Sequence, residues 1–150
     1  MLKKLALYTL LLMGGQTAAE AAARNFTLYI SNGTLIITGT GGTTLNTWGY
    51  GTAEGTPTFP APKLEVNEGD TVTVTVHNHR NANHNFVIKN VTTDVTAIPA
   101  NGSKVYSFTA PTAGSYVYSD TLNNNIKREM VLYGAFIVRP ADNSNTAWTG

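Results

Sequence analysis

The chain has 150 residues, of which 13% are charged and 42% are hydrophobic, and it contains no cysteine. This length and apolar fraction suit one globular domain with a single core, and the low charge argues against a disordered tail or a coiled coil. The missing cysteine excludes disulfides, zinc-thiolate and iron–sulfur clusters and cysteine nucleophiles. Ten Lys and Arg against nine Asp and Glu give no basic surface, so nucleic acid is not an expected partner.

Residues 1–23 are predicted to be a signal peptide. Two lysines precede an apolar run, and a stretch of small residues follows it. The apolar run is too short to span a bilayer, although a retained anchor or buried N-terminal helix is the alternative. Cleavage after Ala19, Ala21 or Ala23 suits the small residues, and the sequence favours Ala23. We therefore expect a periplasmic or secreted domain, residues 24–140, that is off the membrane once the leader is removed.

The first part of this domain is predicted to be a β-hairpin followed by a loop. Two β-branched and aromatic runs, 26–30 and 34–38, flank Ser31-Asn32-Gly33. An Asn-Gly pair tolerates the positive φ of a tight turn, which favours a hairpin there. The glycine-rich stretch that follows, around Trp48 and Tyr50, is predicted to be a loop because it lacks the strand and helix context of a nucleotide-binding glycine motif.

The remainder is also predicted to consist of strands. In residues 71–77 three valines alternate with threonines and a histidine, the period of a strand with one buried face. The other predicted strands are 63–66, 86–91, 104–109, 115–119 and 133–138. Short strands separated by Gly, Pro and Asn turns predict an all-β, antiparallel sandwich or barrel of about seven or eight strands. Residues 141–150 are a polar tail.

From Trp48 onward, the order of short motifs resembles the cupredoxin domains of plastocyanin-like proteins and multicopper oxidases. The matching segments are 48–50 (WGY), 59–66 (FPAPKLEV), 68–72 (EGDTV), 83–88 (NHNFVI), 98–103 (IPANGS), 106–108 (YSF), 114–118 (GSYVY) and 130–138 (MVLYGAFIV). The resemblance implies a Greek-key sandwich with a copper site at one end. It places the first ligand histidine on His84, the ligand cysteine on Asp120 and the second histidine on Asn123, and it leaves the methionine position between Met130 and Leu132.

A blue copper centre is excluded by the composition, because the chain has no cysteine to supply the thiolate ligand. Three histidines remain, His77, His79 and His84, all within eight residues. His77 and His79 are two residues apart and are predicted to share one face of a strand. Imidazoles with the Asp120 carboxylate suit a type-2-like Cu(II), the Met130 thioether suits Cu(I), and zinc fits the same donors.

Two functions follow from these predictions. The first is a secreted or periplasmic protein that binds copper at a non-blue site of His84, His79, His77, Asp120 and Met130, in copper handling or as an accessory subunit of a copper oxidase. The second is a metal-free assembly module that pairs its strand edges with copies of itself or with a protein partner. In that case the histidines are solvated surface residues or inherited packing. Enzymatic activity, such as an oxidase or nitrite-reducing site completed across a subunit interface, is the least favoured interpretation.

Overall fold

The computed structural model describes residues 21–38, 41–122 and 132–141. This part of the chain forms eight strands and no helix. In chain order the strands are β1 (Ala23–Ile37), β2 (Thr43–Gly51), β3 (Ala61–Asn67), β4 (Thr71–Asn78), β5 (Val87–Ile88), β6 (Ser103–Thr109), β7 (Gly114–Ser119) and β8 (Tyr133–Arg139).

The strands form two four-stranded sheets, in the orders β2-β1-β4-β6 and β3-β8-β7-β5. β1 runs parallel to β4, and β3 runs parallel to β8, while the other neighbours are antiparallel. The predicted all-β sandwich is therefore confirmed, although the two parallel pairs differ from the antiparallel arrangement that the sequence predicts.

The core lies between the two sheets. The three alternating valines of β4 are completely buried, and the threonines between them are more exposed, as the period of two predicts. Aromatic rings join the sheets: Phe108 of β6 meets Phe136 of β8 edge to face at 5.7 Å between ring centroids. Phe86 stacks on Tyr118 at 5.2 Å and contacts Tyr106 at 5.3 Å. Such pairs add to the stabilisation from apolar burial.

The predicted opening hairpin is wrong. Ser31, Asn32 and Gly33 do not turn but continue β1 opposite the residues 47–49 of β2, so the region predicted as a loop around Trp48 is a strand. The chain reverses between β1 and β2, where Gly41 and Gly42 have positive φ values of 105° and 32°. Gly33 is needed for a different reason: a Cβ there would overlap the ring of Pro57.

The predicted strand 86–91 is also shorter than expected. Only Val87 and Ile88 pair with β7. The Ile88 carbonyl then accepts hydrogen bonds from the amides of Val91 and Thr92, both at 3.0 Å, and Asn90 adopts a left-handed φ of 64°. The chain thus turns immediately after Ile88, because local hydrogen bonds within the turn replace the bonds that a longer strand would make to β7.

Candidate metal centre

His84 lies in the interior at one end of the sandwich. Its backbone forms an isolated bridge with Ile98, with N···O distances of 3.1 and 2.6 Å, and its side chain is completely buried. The imidazole Nδ1 is 2.6 Å from Oδ2 of Asp120, whose carboxylate is also fully enclosed. A buried ionisable pair needs this kind of direct partner, because each group alone loses its hydration.

Asp120 is held in place at the end of β7. Its amide donates to the Leu132 carbonyl at 3.0 Å, and its Oδ1 accepts the Leu122 amide at 2.8 Å. With the carboxylate ionised, its Oδ2 accepts the proton on His84 Nδ1. The phenol of Tyr50 is nearby: burial raises its pKa well above the usual value, and the negative charge of Asp120 raises it further.

The next residues along both segments form a second cross-link. Asn85 is fully buried, and its Oδ1 accepts the Thr121 amide at 2.8 Å. Its Nδ2 donates to the Thr121 hydroxyl at 3.0 Å and to the Val95 carbonyl at 2.9 Å. Two consecutive residues on each segment therefore join the loop before β5 to the segment after β7, and this fixes the orientation of His84 against Asp120.

The geometry of this pair does not fit an inherited blue copper site. No thiolate exists in the chain. Two ligands that each lie about 2.0 Å from one ion are roughly 2.8 Å apart at a right angle and roughly 3.3 Å apart at the tetrahedral angle, both wider than the 2.6 Å between His84 Nδ1 and Asp120 Oδ2. The two side chains are instead joined by a direct hydrogen bond. His84 Nε2 is buried and has no hydrogen-bond partner within the described residues.

His77, near the end of β4, and His79, directly after the strand, lie on the side away from the core. Asn78 between them points inward and is buried, and its Nδ2 donates to the carbonyls of Ala82 and Pro99 at 2.8 and 2.9 Å. Because side chains alternate along a strand, the two imidazoles point outward. Their ring centroids are 6.3 Å apart, which confirms the predicted shared face.

Two further side chains contact this imidazole pair. The ring of Tyr29 on the neighbouring β1 stacks on His77 at 5.0 Å and contacts His79 at 5.6 Å. The Glu54 carboxylate accepts from His79 Nδ1 at 2.8 Å. The two histidines line an open depression of about 270 Å³ together with Asn78, Asn101, Gly102 and Ser103. This depression is polar and reaches solvent.

The structure thus separates the four predicted ligands that it describes. His84 and Asp120 meet inside the sandwich, whereas His77 and His79 meet on its outer surface, and Met130 lies outside the described residues. Within residues 21–38, 41–122 and 132–141, no three His, Cys, Asp or Glu side chains converge as a preformed metal cage.

The sequence did not indicate the partners of these groups. Glu54 stands in a glycine-rich stretch with no pattern that links it to His79, which lies 25 positions further on. Asn85 carried one usable signal, since it follows His84 directly and precedes an apolar strand. Its bonds to Thr121 depend on the packing of the two sheets and are not encoded locally.

The comparisons with known proteins agree with this architecture. Residues 40–143 match the family model described as multicopper oxidase. The chain belongs to the multicopper oxidase family. The match covers well over half of the sequence, and together with the sandwich it confirms the resemblance to cupredoxin domains.

Several solved multicopper oxidases and copper nitrite reductases share the fold. The multicopper oxidase mgLAC aligns with a TM-score of 0.68 and 26% identity over 79% of this chain and 39% of its own. The copper nitrite reductase from Nitrosomonas europaea aligns with a TM-score of 0.67 and 25% identity over 84% and 45% of the two chains. The blue copper oxidase from the same organism aligns with a TM-score of 0.68 and 25% identity over 85% of this chain and 41% of its own.

The chain spans less than half the length of these solved relatives. It therefore corresponds to one cupredoxin unit of proteins that contain more chain. The search of curated proteins finds no match to the sequence. The part of the chain that the structure describes contains no helix with the length and apolarity needed to cross a bilayer.

Proposed function

We propose that this chain is an exported copper-binding domain with a non-blue, histidine-based site. It serves in copper handling or as an accessory subunit of a copper oxidase in the periplasm or outside the cell. Membership of the multicopper oxidase family supports copper as the ion. The missing cysteine supports a role other than thiolate-mediated electron transfer.

The observation that carries this proposal is the pairing of His77 with His79. Two imidazoles on one ion have ring centres up to about 6 Å apart, from a metal–nitrogen distance of about 2.0 Å and the radius of each ring. The centroid separation of 6.3 Å is at the upper end of this range, which only ligands on opposite sides of an ion reach, so the rings must rotate toward each other to bind an ion at a smaller angle. The depression beside the pair leaves room for water or a substrate group to complete the coordination.

Glu54 supports the same assignment. Metal-bound histidines commonly donate their other ring N–H to a carboxylate, which sets the tautomer and raises ligand basicity. The Glu54 carboxylate does this at His79 Nδ1 and so directs Nε2 of that ring toward an ion. Two neutral imidazoles with oxygen ligands suit tetragonal Cu(II), and zinc is the competing ion for these donors.

His84 has a related but enclosed arrangement. Asp120 accepts from its Nδ1, so Nε2 is the nitrogen left for an ion. That atom is buried, and an ion would need to open the end of the sandwich to reach it. We therefore assign the accessible site to His77 and His79, and the His84–Asp120 pair to the packing of the domain.

Paramagnetic resonance of Cu(II) added to the purified protein tests this assignment. We expect a type-2 signal with nitrogen coupling at one equivalent, and no intense blue band in the visible spectrum. His77→Gln and His79→Gln are each expected to weaken binding at least tenfold. Ser103→Ala, which removes a polar group from the same depression, is the control and is expected to bind normally.

His84→Gln distinguishes the two sites. Unchanged binding in this variant, with loss in His79→Gln, supports the surface site. Loss of the nitrogen-coupled signal only in His84→Gln would move the ion to the interior, and no signal in the parent protein would overturn copper binding altogether. Metal analysis of protein isolated without added ions separates copper from zinc.

A second candidate is favoured by the closed His84–Asp120 bond, which fills the inherited ligand position without a metal. In this alternative the domain is an assembly module. Val105 on the edge strand β6 is 58% exposed, and such an edge is available for pairing with another chain. Light scattering of metal-free protein tests this: a monomer at high concentration counts against assembly, and a defined oligomer supports it.

A further inference from the structure

The backbone at Ala22 is bound to a buried carboxylate. The Ala22 nitrogen lies 2.9 Å from Oδ1 of Asp70, and Asp70 is only 1% exposed. The Ala22 carbonyl accepts the Thr71 amide, also at 2.9 Å. Ala22 is therefore held at both its amide nitrogen and its carbonyl, directly before β1 begins to pair with β4.

The other carboxylate oxygen of Asp70 accepts hydrogen bonds from one charged and one neutral donor. Arg24 Nε and the Asn67 amide each lie 2.9 Å from Oδ2. Burial by itself would raise the pKa of Asp70, but the hydrogen bonds from Asn67, Ala22 and Arg24 outweigh it and lower the pKa below its usual value. The carboxylate is thus ionised at neutral pH, and Ala22 supplies the donor to its Oδ1.

We propose that the leader is cleaved between Ala21 and Ala22, so that the new α-ammonium group of Ala22 forms an ion pair with Asp70. Ala21 and Ala19 then occupy the last and third-last positions of the leader, where small residues are required. Water adds across the peptide bond: its hydroxyl completes the Ala21 carboxyl group, and its hydrogen and a solvent proton leave Ala22 with an ammonium group.

The other two cleavage points are less consistent with these contacts. Cleavage after Ala23, which the sequence alone favours, removes Ala22. The Thr71 amide then loses its acceptor, and Asp70 Oδ1 loses its donor. Cleavage after Ala19 leaves two extra residues in front of Ala22 and keeps a neutral amide at the carboxylate. Only cleavage of the bond between Ala21 and Ala22 places an α-ammonium group beside Asp70 Oδ1.

N-terminal sequencing and intact mass of the full chain, expressed in a bacterium and recovered after export, test the proposal. We expect a single species that begins Ala22-Ala23-Arg24. A species that begins at Arg24 or Glu20, or a chain that is not cut, overturns it. This result is independent of copper, so it can fail while the proposed function stands.

Two leader variants provide a matched pair. Ala21→Leu places a large residue next to the proposed bond and is expected to abolish that product. Ala23→Leu blocks cleavage after residue 23 and is expected to leave the start at Ala22 unchanged. Both positions are exposed, so neither change disturbs the core, and a loss of the Ala22 start in Ala23→Leu alone contradicts the proposal.

Labelling of the exported protein with an amine reagent at neutral pH tests the ion pair itself. We expect the Ala22 amine to react at least tenfold more slowly in the folded protein than in urea. Arg24→Gln is expected to keep this protection, because Asp70 remains in contact with the amine, whereas Asp70→Asn is expected to lose most of it. Equal labelling in folded and unfolded protein would rule the ion pair out.

Discussion

Asp120 lies 2.6 Å from His84 across the interior of the sandwich, and neither side chain has any exposed surface. The two residues are 36 positions apart and belong to segments that the adjacent bonds of Asn85 also join. In the resemblance to cupredoxins they stand where an imidazole and a thiolate hold copper together. In this chain the corresponding groups are hydrogen-bonded to each other, and we expect this bond to stabilise that end of the fold.

Replacement of Asp120 by asparagine is expected to destabilise the protein. The variant keeps the side-chain volume but turns a charge-assisted bond into a neutral one at a fully buried histidine, which costs about 1–3 kcal/mol. Urea unfolding measures the change. Asp94→Asn is the control, because that carboxylate pairs with Lys104 at the surface, and we expect no resolvable effect there. Equal effects in both variants would contradict a special role for the buried pair.

Replacement of Asp120 by cysteine returns a thiolate to the position beside His84 Nδ1. We expect this variant with Cu(II) to gain an intense charge-transfer band in the visible region, because a bound thiolate is the donor that such bands require. Asp94→Cys introduces a cysteine at an exposed carboxylate position and should show no such band. If the two variants have the same spectrum, Asp120 does not occupy the former ligand position.

The contribution of Asp70 to stability is expected to depend on pH. Its pKa is lowered in the folded protein by hydrogen bonds that outweigh the effect of burial, so the stabilisation is present above the unfolded pKa of about 3.9 and is lost as pH falls through the lower folded value. Asp70→Asn should therefore cost about 1–2 kcal/mol at pH 7 and less at pH 2.5, measured by urea unfolding. Glu54→Gln, at an exposed carboxylate, is the control. A cost that does not shrink at low pH would contradict this interpretation.

Gly134 is expected to tolerate no side chain. It lies opposite Tyr118 in the β7–β8 pair, and a Cβ there would overlap the Tyr118 ring, whose hydroxyl donates to the Pro62 carbonyl at 2.6 Å. Gly134→Ala should cost about 1–3 kcal/mol or more through overpacking. Gly114→Ala, where the nearest atom is 3.5 Å away, should be close to neutral in the same thermal unfolding experiment. Similar melting temperatures for the two variants would show that the tyrosine ring moves aside freely.

The strands with alternating patterns could be predicted from sequence, because their pattern and their environment agree. β4 was predicted within one residue, since its three valines all meet the core. The continuation of β1 through Ser31, Asn32 and Gly33 was not predictable, because the same Asn-Gly pair that tolerates a turn also permits the close approach of Pro57. A glycine at position 33 suits both a tight turn and close contact with Pro57, so the sequence alone does not distinguish the two.

The candidate site was predictable only in part, for a similar reason. Strand period correctly placed His77 and His79 on one face, but it carries no information about His84 once the chain has left β4. The side-chain amide of Asn78 points inward and donates to the Ala82 carbonyl, in the loop that follows β4, and to the Pro99 carbonyl. The loop after β4 then returns His84 to the interior. Closeness in sequence therefore does not bring the three imidazoles together, while Asp120 reaches His84 from a distant segment.

The position of β1 has a consequence for how this domain can be divided. β1 is the first strand in the chain, yet it lies inside its sheet, between β2 and β4. Its first eight residues supply the whole parallel pairing with β4, from Ala23 to Ile30. β2 pairs only with the later part of β1, from Tyr29 onward, so a chain without this segment leaves the edge of β4 open, with unpaired backbone groups along it. We expect a synthetic peptide of that sequence to complement such a truncated domain in trans, and without the peptide we expect two truncated chains to pair through this edge.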